Sequence, residues 1–259
     1  MTVTHGRAIA TTCTATAATA ALLFSSGTSA LAETGGNPSP RQLADQAREG
    51  LRKADSVRLK YVDRSPETAT NFTRPAALNI ALDRYGNCTG VMTMGAHGGT
   101  VKIVKHGEDV WLKPDETFWK VELPGEQGAH AAQVFKNRYI HGPASDNLLK
   151  GVAAICNLKA LQQGTTASPP RSLKAGPETT LNGTRVIPLI SRTGSTTSTL
   201  YVTADAPHRL YRAAQKGPDM DLSLTFTDYG KPVPSQTPPA SQTLDVSKFR
   251  SELQQEQET

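Results

Sequence analysis

Aromatic residues are scarce: six phenylalanines, six tyrosines and two tryptophans among 259 residues. A stacking platform for single-stranded nucleic acid would be hard to build from so few. The net charge of +5 is also too mild to mark a nucleic-acid surface. No nucleic-acid partner is expected. Three cysteines are too few for a disulfide scaffold. With 37% hydrophobic residues and a mean hydropathy of −0.40, a polytopic membrane protein is excluded, and so is a wholly disordered chain. The common catalytic signatures are missing as well: no G-x-S-x-G, no H-E-x-x-H, no P-loop and no G-x-G-x-x-G. His97, His106, His130, His141 and His208 stand at loops and element ends without a repeated spacing. They read as surface or turn residues, and the adjacent Asp115 and Glu116 read as a solvated turn. Neither Cys88 nor Cys156 has a second Cys or His nearby at ligand spacing, so neither a metal nor another cofactor is expected.

What is present begins with an export signal. Arg7 supplies the cation of a short leading region, an uncharged Ala/Thr/Leu run covers residues 8–24, and Ala30-Leu31-Ala32 offers the small residues that a signal peptidase requires. Cleavage is expected before Glu33, the alternative being retention as an anchor. Lipid attachment at Cys13 is not expected, because most of the apolar run follows the cysteine rather than preceding it. The protein is therefore expected to be secreted or held in the cell envelope. Residues 33–39 form a polar tail, 40–249 a single domain and 250–259 a polar C-terminal tail.

Within the domain, Ser39 is a helix N-cap with Pro40 at the first helical position. Leu43, Ala47, Leu51 and Ala54 then form one apolar stripe. Alternation follows: Val57, Leu59 and Tyr61, then Leu78, Ile80 and Leu82, with further strands over 89–95, 100–106 and 109–113 joined by short Gly-containing turns. Such strands form an antiparallel meander with one apolar face. The middle reads as helical, over 128–136 and from an N-cap at Asp146 to 156 or 158, with Leu148, Leu149, Val152 and Ile155 on one face. After a Gly/Ser/Pro-rich connection at 164–177, strands return at 185–191, 199–203, 209–214 and 220–228. The whole is read as α+β, one sheet built from both halves with helices on its apolar side.

Two thiols in an exported chain favour a Cys88–Cys156 disulfide, the alternative being two buried free thiols. Arg41, Arg48, Arg52, Lys53, Arg58, Lys60 and Arg64 could meet an anionic membrane surface, cell-wall polymers or cell-envelope proteins, but Asp45, Glu49, Asp55 and Asp63 are interleaved with them, as on a solvated face.

Four segments carry a family likeness: Gly86-Asn87-Cys88-Thr89-Gly90; Val110-Trp111-Leu112-Lys113-Pro114-Asp115 with Phe118-Trp119; 139–158, ending Ile155-Cys156-Asn157-Leu158; and Leu224-Thr225-Phe226-Thr227-Asp228-Tyr229-Gly230 before Pro232-Val233-Pro234. In these and in the order of its elements the chain resembles LolA-like exported proteins, above all the actinobacterial LppX/LprG-type lipoproteins and their secreted relatives. The resemblance implies a strongly curved antiparallel half-barrel with helices in its concave face. It also implies a cavity between them for the acyl chains of lipids or lipoproteins. The implied wall is Leu78, Ile80, Leu82, Val101, Ile103, Val110, Leu112, Leu222, Leu224 and Phe226. On alternation Trp111 points to the other side. A non-enzymatic carrier of a lipid or other hydrophobic ligand is expected. The alternatives are a sensor or interaction module with a filled interior and an extracellular hydrolase drawing on His141 or His208.

Overall fold

The computed structural model of the chain describes residues 38–123, 125–164 and 172–257. The expected export signal with Cys13 lies outside them, as do residues 165–171 of the Gly/Ser/Pro-rich connection. Helix α1 (Pro40–Arg52) starts at the expected cap: Ser39 Oγ accepts the Gln42 backbone N–H and the Gln42 side chain accepts that of Ser39. This reciprocal pair satisfies N–H groups that a helix start leaves without intrahelical partners. Leu43, Ala44, Ala47 and Leu51 are buried, while Ala54 falls past the helix end.

Two meanders follow. The first comprises β1 (Ser56–Asp63), β2 (Pro75–Asp83), β3 (Cys88–Met94), β4 (Thr100–His106), β5 (Asp109–Pro114) and β6 (Tyr139–Pro143), with the short helix α2 (Pro66–Thr70) between β1 and β2. The second comprises β7 (Lys174–Ala175), β8 (Thr179–Leu181), β9 (Thr184–Thr193), β10 (Thr196–Thr203), β11 (Leu210–Gly217) and β12 (Met220–Thr227). They meet where β1 pairs with β12, so the described residues form one sheet in the order β13-β6-β5-β4-β3-β2-β1-β12-β11-β10-β9-β7, with β8 also on β9. Every pairing is antiparallel except that of β13 (Thr243–Asp245) with β6. The register shifts at Pro75/Ala77 and at Tyr201/Val202, and such irregularities bend a sheet. Helix α1 lies against β10 and β11.

The middle of the chain differs from its sequence reading. It is not helical throughout, because β6 extends the sheet beside β5. Asp115 is no open turn: it caps α3 (Glu116–Glu122), which leads to α4 (Glu126–Val134). The helix expected from Asp146 splits into α5 (Lys150–Ile155) and α6 (Leu158–Gly164), after Asp146 closes a turn by accepting the Leu148 N–H. That turn carries Leu148 outward, 45% exposed, and Leu149 inward, fully buried. At the C-terminus α7 (Val246–Gln257) runs into the segment read as a polar tail, because Phe249 has a place to go. Phe249 joins Trp119, Phe135, Ile140, Leu244 and Val246 in a second, smaller core that covers the β6 side of the sheet. Covering and pairing an edge in this way keeps it from recruiting another chain.

Candidate ligand-binding face

In an antiparallel pair, residues directly opposite project to the same side. Leu59 stands opposite both Ile80 and Phe226, and Tyr61 opposite both Leu78 and Leu224. Val57 opposes Leu82, and Asp63 opposes Leu222. From Ile80 the same row continues through Gly90, Ile103 and Leu112 to Ile140, and from Leu78 through Met92 and Val101. Val110 joins the face opposite Lys105. All the residues expected at the wall therefore share one face.

Their surroundings divide that face in two. Ile80, Leu82, Ile103 and Val110 are completely buried, and Leu78, Val101, Leu112 and Phe226 nearly so. Over this half sit Leu149, Cys156 and Leu158, held down by the Cys88–Cys156 disulfide between β3 and the end of α5. Gln162 of α6 donates to the carbonyls of Leu51 and Ala54, tying α6 to the end of α1. Other positions on the face are covered less, although Leu189 and Val202 among them are completely buried. Tyr61, Ile187, Leu200 and Leu224 of the sheet are only half-buried. So are Val152 and Ile155 of α5, Leu161 of α6 and Leu173, and all of these pack against the same core. Leu222 is half-buried too. Sequence reasoning placed Tyr61 on the apolar side of its strand but left it out of the wall, and it missed Ile187 and Leu200 as part of this face. Their strands alternate legibly, but only the pairing of β10 with β9 and β11 shows which side turns inward.

A polar group closes the β1 end of the open half. The Tyr61 hydroxyl donates to Asp63 at 3.0 Å, and Asp63 also accepts from the Ser65 N–H and the Thr68 hydroxyl. Burial pushes the Asp63 carboxyl up, but those hydrogen bonds outweigh it and hold the group at about 2. Burial, reinforced by the neighbouring Asp63 carboxylate, pushes the Tyr61 phenol to about 12. Both groups keep their ordinary charge near neutrality, with Asp63 the acceptor and the Tyr61 hydroxyl one of its donors.

The histidines named for a hydrolase have other partners. His141 lies on the outer face, 3.0 Å from an Asp109 oxygen and stacked on Trp111 with ring centroids 4.6 Å apart. Trp111 thus points away from Val110 and Leu112, as alternation requires. His208 Nδ1 meets the backbone carbonyl of Thr203. The basic run along α1 and β1 is substantially paired: Arg48 with Asp45, Arg52 and Lys53 with Glu49, and Arg58 with Asp228. Among the described residues no His/Cys/Asp/Glu group could hold a metal, and no helix is long and apolar enough to cross a membrane. The surface carries several clefts. One of about 840 Å³ lies between the C-terminal half of α1 and residues 206–209, and another of about 480 Å³ lies beside Asp63 and Thr68. None of the expected wall residues lines either.

The crystal structure of LprF from Mycobacterium bovis superposes on this architecture with a TM-score of 0.54, covering 79% of this chain and 100% of LprF at 12% identity. The chain has the LolA/LppX-like fold. Weaker likenesses include the lipoprotein LppX of Mycobacterium tuberculosis (TM-score 0.47, 12% identity, 78% of this chain and 100% of that one). They also include a LolA superfamily protein from Nitrosomonas europaea (TM-score 0.25, 10% identity, 76% and 96%). No protein-family model matches the sequence, and no curated protein matches it in sequence comparison. The LolA/LppX-like fold accounts for the unclosed sheet, with β13 and β7 at its two ends and helices against its apolar face.

Proposed function

We propose that this is an exported, non-enzymatic binding protein for a lipid or another hydrophobic ligand, acting in the cell envelope or outside the cell. The ligand's apolar part lies over the less covered half of the concave face. The observation that carries this reading is the set of half-buried apolar side chains from two opposing layers: Tyr61, Ile187, Leu200 and Leu224 from the sheet, Ile155 and Leu161 from the helices. A folded domain gains by covering such a surface, and an acyl chain covers it without needing hydrogen bonds. Burial of each CH₂ contributes about 0.8 kcal/mol, so a sixteen-carbon chain offers on the order of 10 kcal/mol gross. After association and ordering costs the net binding is reversible, as a carrier requires. The full burial of Ile80, Leu82, Ile103 and Val110 favours a second reading, an interaction module whose interior is filled by its own side chains. Native mass spectrometry and solvent extraction of the purified secreted protein separate the two. A co-purifying amphiphile supports the carrier. Its absence, together with failure to bind an added fluorescent fatty acid, supports the filled module.

A further inference from the structure

Away from the concave face, a cleft of about 290 Å³ opens between the end of the β4–β5 hairpin and the α3–α4 pair, lined among others by Thr100, Lys102, Lys113, Asp115, Trp119 and Lys136. Its charges are unbalanced. Lys102 stands directly opposite Lys113, a like-charge pairing that costs stability in a sheet. Neither lysine forms an ion pair among the described residues, and Lys113 only rests its ammonium 5.4 Å from the centre of the Tyr139 ring. The acids beside them are already engaged. Asp115 accepts from the Thr100 N–H and hydroxyl with one oxygen and from the Phe118 N–H with the other. Glu116 pairs with Lys120 at 2.5 Å and is drawn on more weakly by Lys136. Trp119 lines the cleft too, 6% exposed, with its indole N–H buried out of reach of solvent.

We propose that this cleft binds a phosphate group, held by Lys102, Lys113 and Lys136 beside the Trp119 side chain that lines it. Three lysines without an ion-pair partner among the described residues, gathered at one cleft, match an oxyanion. A phosphate suits the set better than a carboxylate, because it brings more oxygens and, as the free ion, a charge nearer two. The cleft is separate from the concave face, so the site stands whether or not that face carries a ligand. The phosphate belongs either to free inorganic phosphate or to a phospholipid headgroup.

The chain has two tryptophans, so ¹⁵N-labelled protein gives two indole resonances, and Trp111→Phe assigns the one from Trp119. Inorganic phosphate and monomeric short-chain phosphatidylglycerol are titrated separately, each to about 50 mM, which reaches dissociation constants in the millimolar range. The expected result is a saturable shift of the Trp119 signal with at least one probe. Lys102→Gln/Lys113→Gln should weaken it about tenfold, and Lys174→Gln at the other end of the sheet should leave it unchanged. Tighter binding of the lipid assigns the headgroup, and equal or tighter binding of phosphate assigns the free ion. No saturable shift with either probe overturns the proposal, as does a shift that survives intact in the double variant whose remaining spectrum is native.

Discussion

Leu59 of β1 lies directly opposite Phe226 of β12, at the seam where the N-terminal and C-terminal meanders become one sheet. Leu59 is 5% and Phe226 2% exposed, so each fills space that no other nearby side chain is free to occupy. Phe226→Ala is expected to destabilise the fold by about 3–5 kcal/mol, the range for emptying a large aromatic site. Combined with Leu59→Ala, the loss should depart from the sum of the single losses by more than about 0.5 kcal/mol, because the two share one cavity. Urea unfolding followed by tryptophan fluorescence measures both. Additive losses would place the seam's stability elsewhere.

The Cys88–Cys156 bridge joins residues 68 apart in sequence, and in the chain-entropy account such a loop restricts the unfolded chain by about 4 kcal/mol. The Cys88→Ala/Cys156→Ala variant should therefore unfold at a markedly lower denaturant concentration. The bridge pins the end of α5 onto β3, so hydrogen exchange in α5 and α6 should rise more than in β1 or β12. Uniform acceleration across all of these elements would show that the bridge acts only through the unfolded chain.

Much of this arrangement is legible in the sequence where one local rule is enough. Ser39-Pro40 sets the start of α1, and strict alternation marks Val57–Tyr61 and Leu222–Phe226 as one-sided strands whose inward residues are those expected. What is hidden depends on distant partners. Residues 139–143 hold too few alternating positions to declare a strand until β5 supplies the ladder beside them. Phe249 looks like the last apolar residue before a polar tail until the Trp119 and Phe135 rings give it a pocket, with centroids 5.8 and 4.8 Å away. Leu148 fits the helical stripe on spacing alone, yet the Asp146 turn breaks the helix and turns it out. The division of the concave face is hidden for the same reason. Nothing local distinguishes Ile80 from Leu224, and only the packing around each, complete at Ile80 and partial at Leu224, does so.

Acid should loosen the β1 end in a defined window. The Asp63 carboxyl titrates at about 2 in the folded protein, below its ordinary value of 3.8. Its contribution is therefore complete above about pH 4 and is lost as the pH falls towards 2. Asp63→Asn should cost about 1 kcal/mol near neutrality, since a half-buried acceptor of three donors is replaced by a group that can satisfy fewer. The same substitution should flatten the fall in stability between pH 4 and 2. If variant and wild type fall in parallel over that interval, the Ser65, Thr68 and Tyr61 hydrogen bonds do not govern the titration.

At Gly90 a side chain has no room: an added Cβ would lie 2.0 Å from the Asn79 carbonyl oxygen and 2.7 Å from the Ile80 Cα. Both obstacles are backbone, so the β2–β3 ladder itself must shift. Gly90→Ala is expected to destabilise by about 1–3 kcal/mol, against the usual gain from replacing a strand glycine. Thermal unfolding checks the sign, and a stabilised variant would show that the strands part without cost.

The division of the concave face is tested by contrasting its two halves. Ile103→Ala, in the completely buried half, should cost about 2–5 kcal/mol and leave the affinity for a fluorescent fatty acid unchanged in the fraction that remains folded. Leu200→Ser and Leu224→Ser lie in the half-buried region and should each cost less stability. If an acyl chain rests there, each should nevertheless weaken fatty-acid binding several-fold, because a hydroxyl would face the methylenes without a partner. The discriminating quantity is the ratio of binding loss to stability loss, which should be high for Leu200 and Leu224 and near zero for Ile103. The reverse ratio would place the ligand against Ile80, Ile103 and Val110, with the disulfide-bridged half opening to admit it.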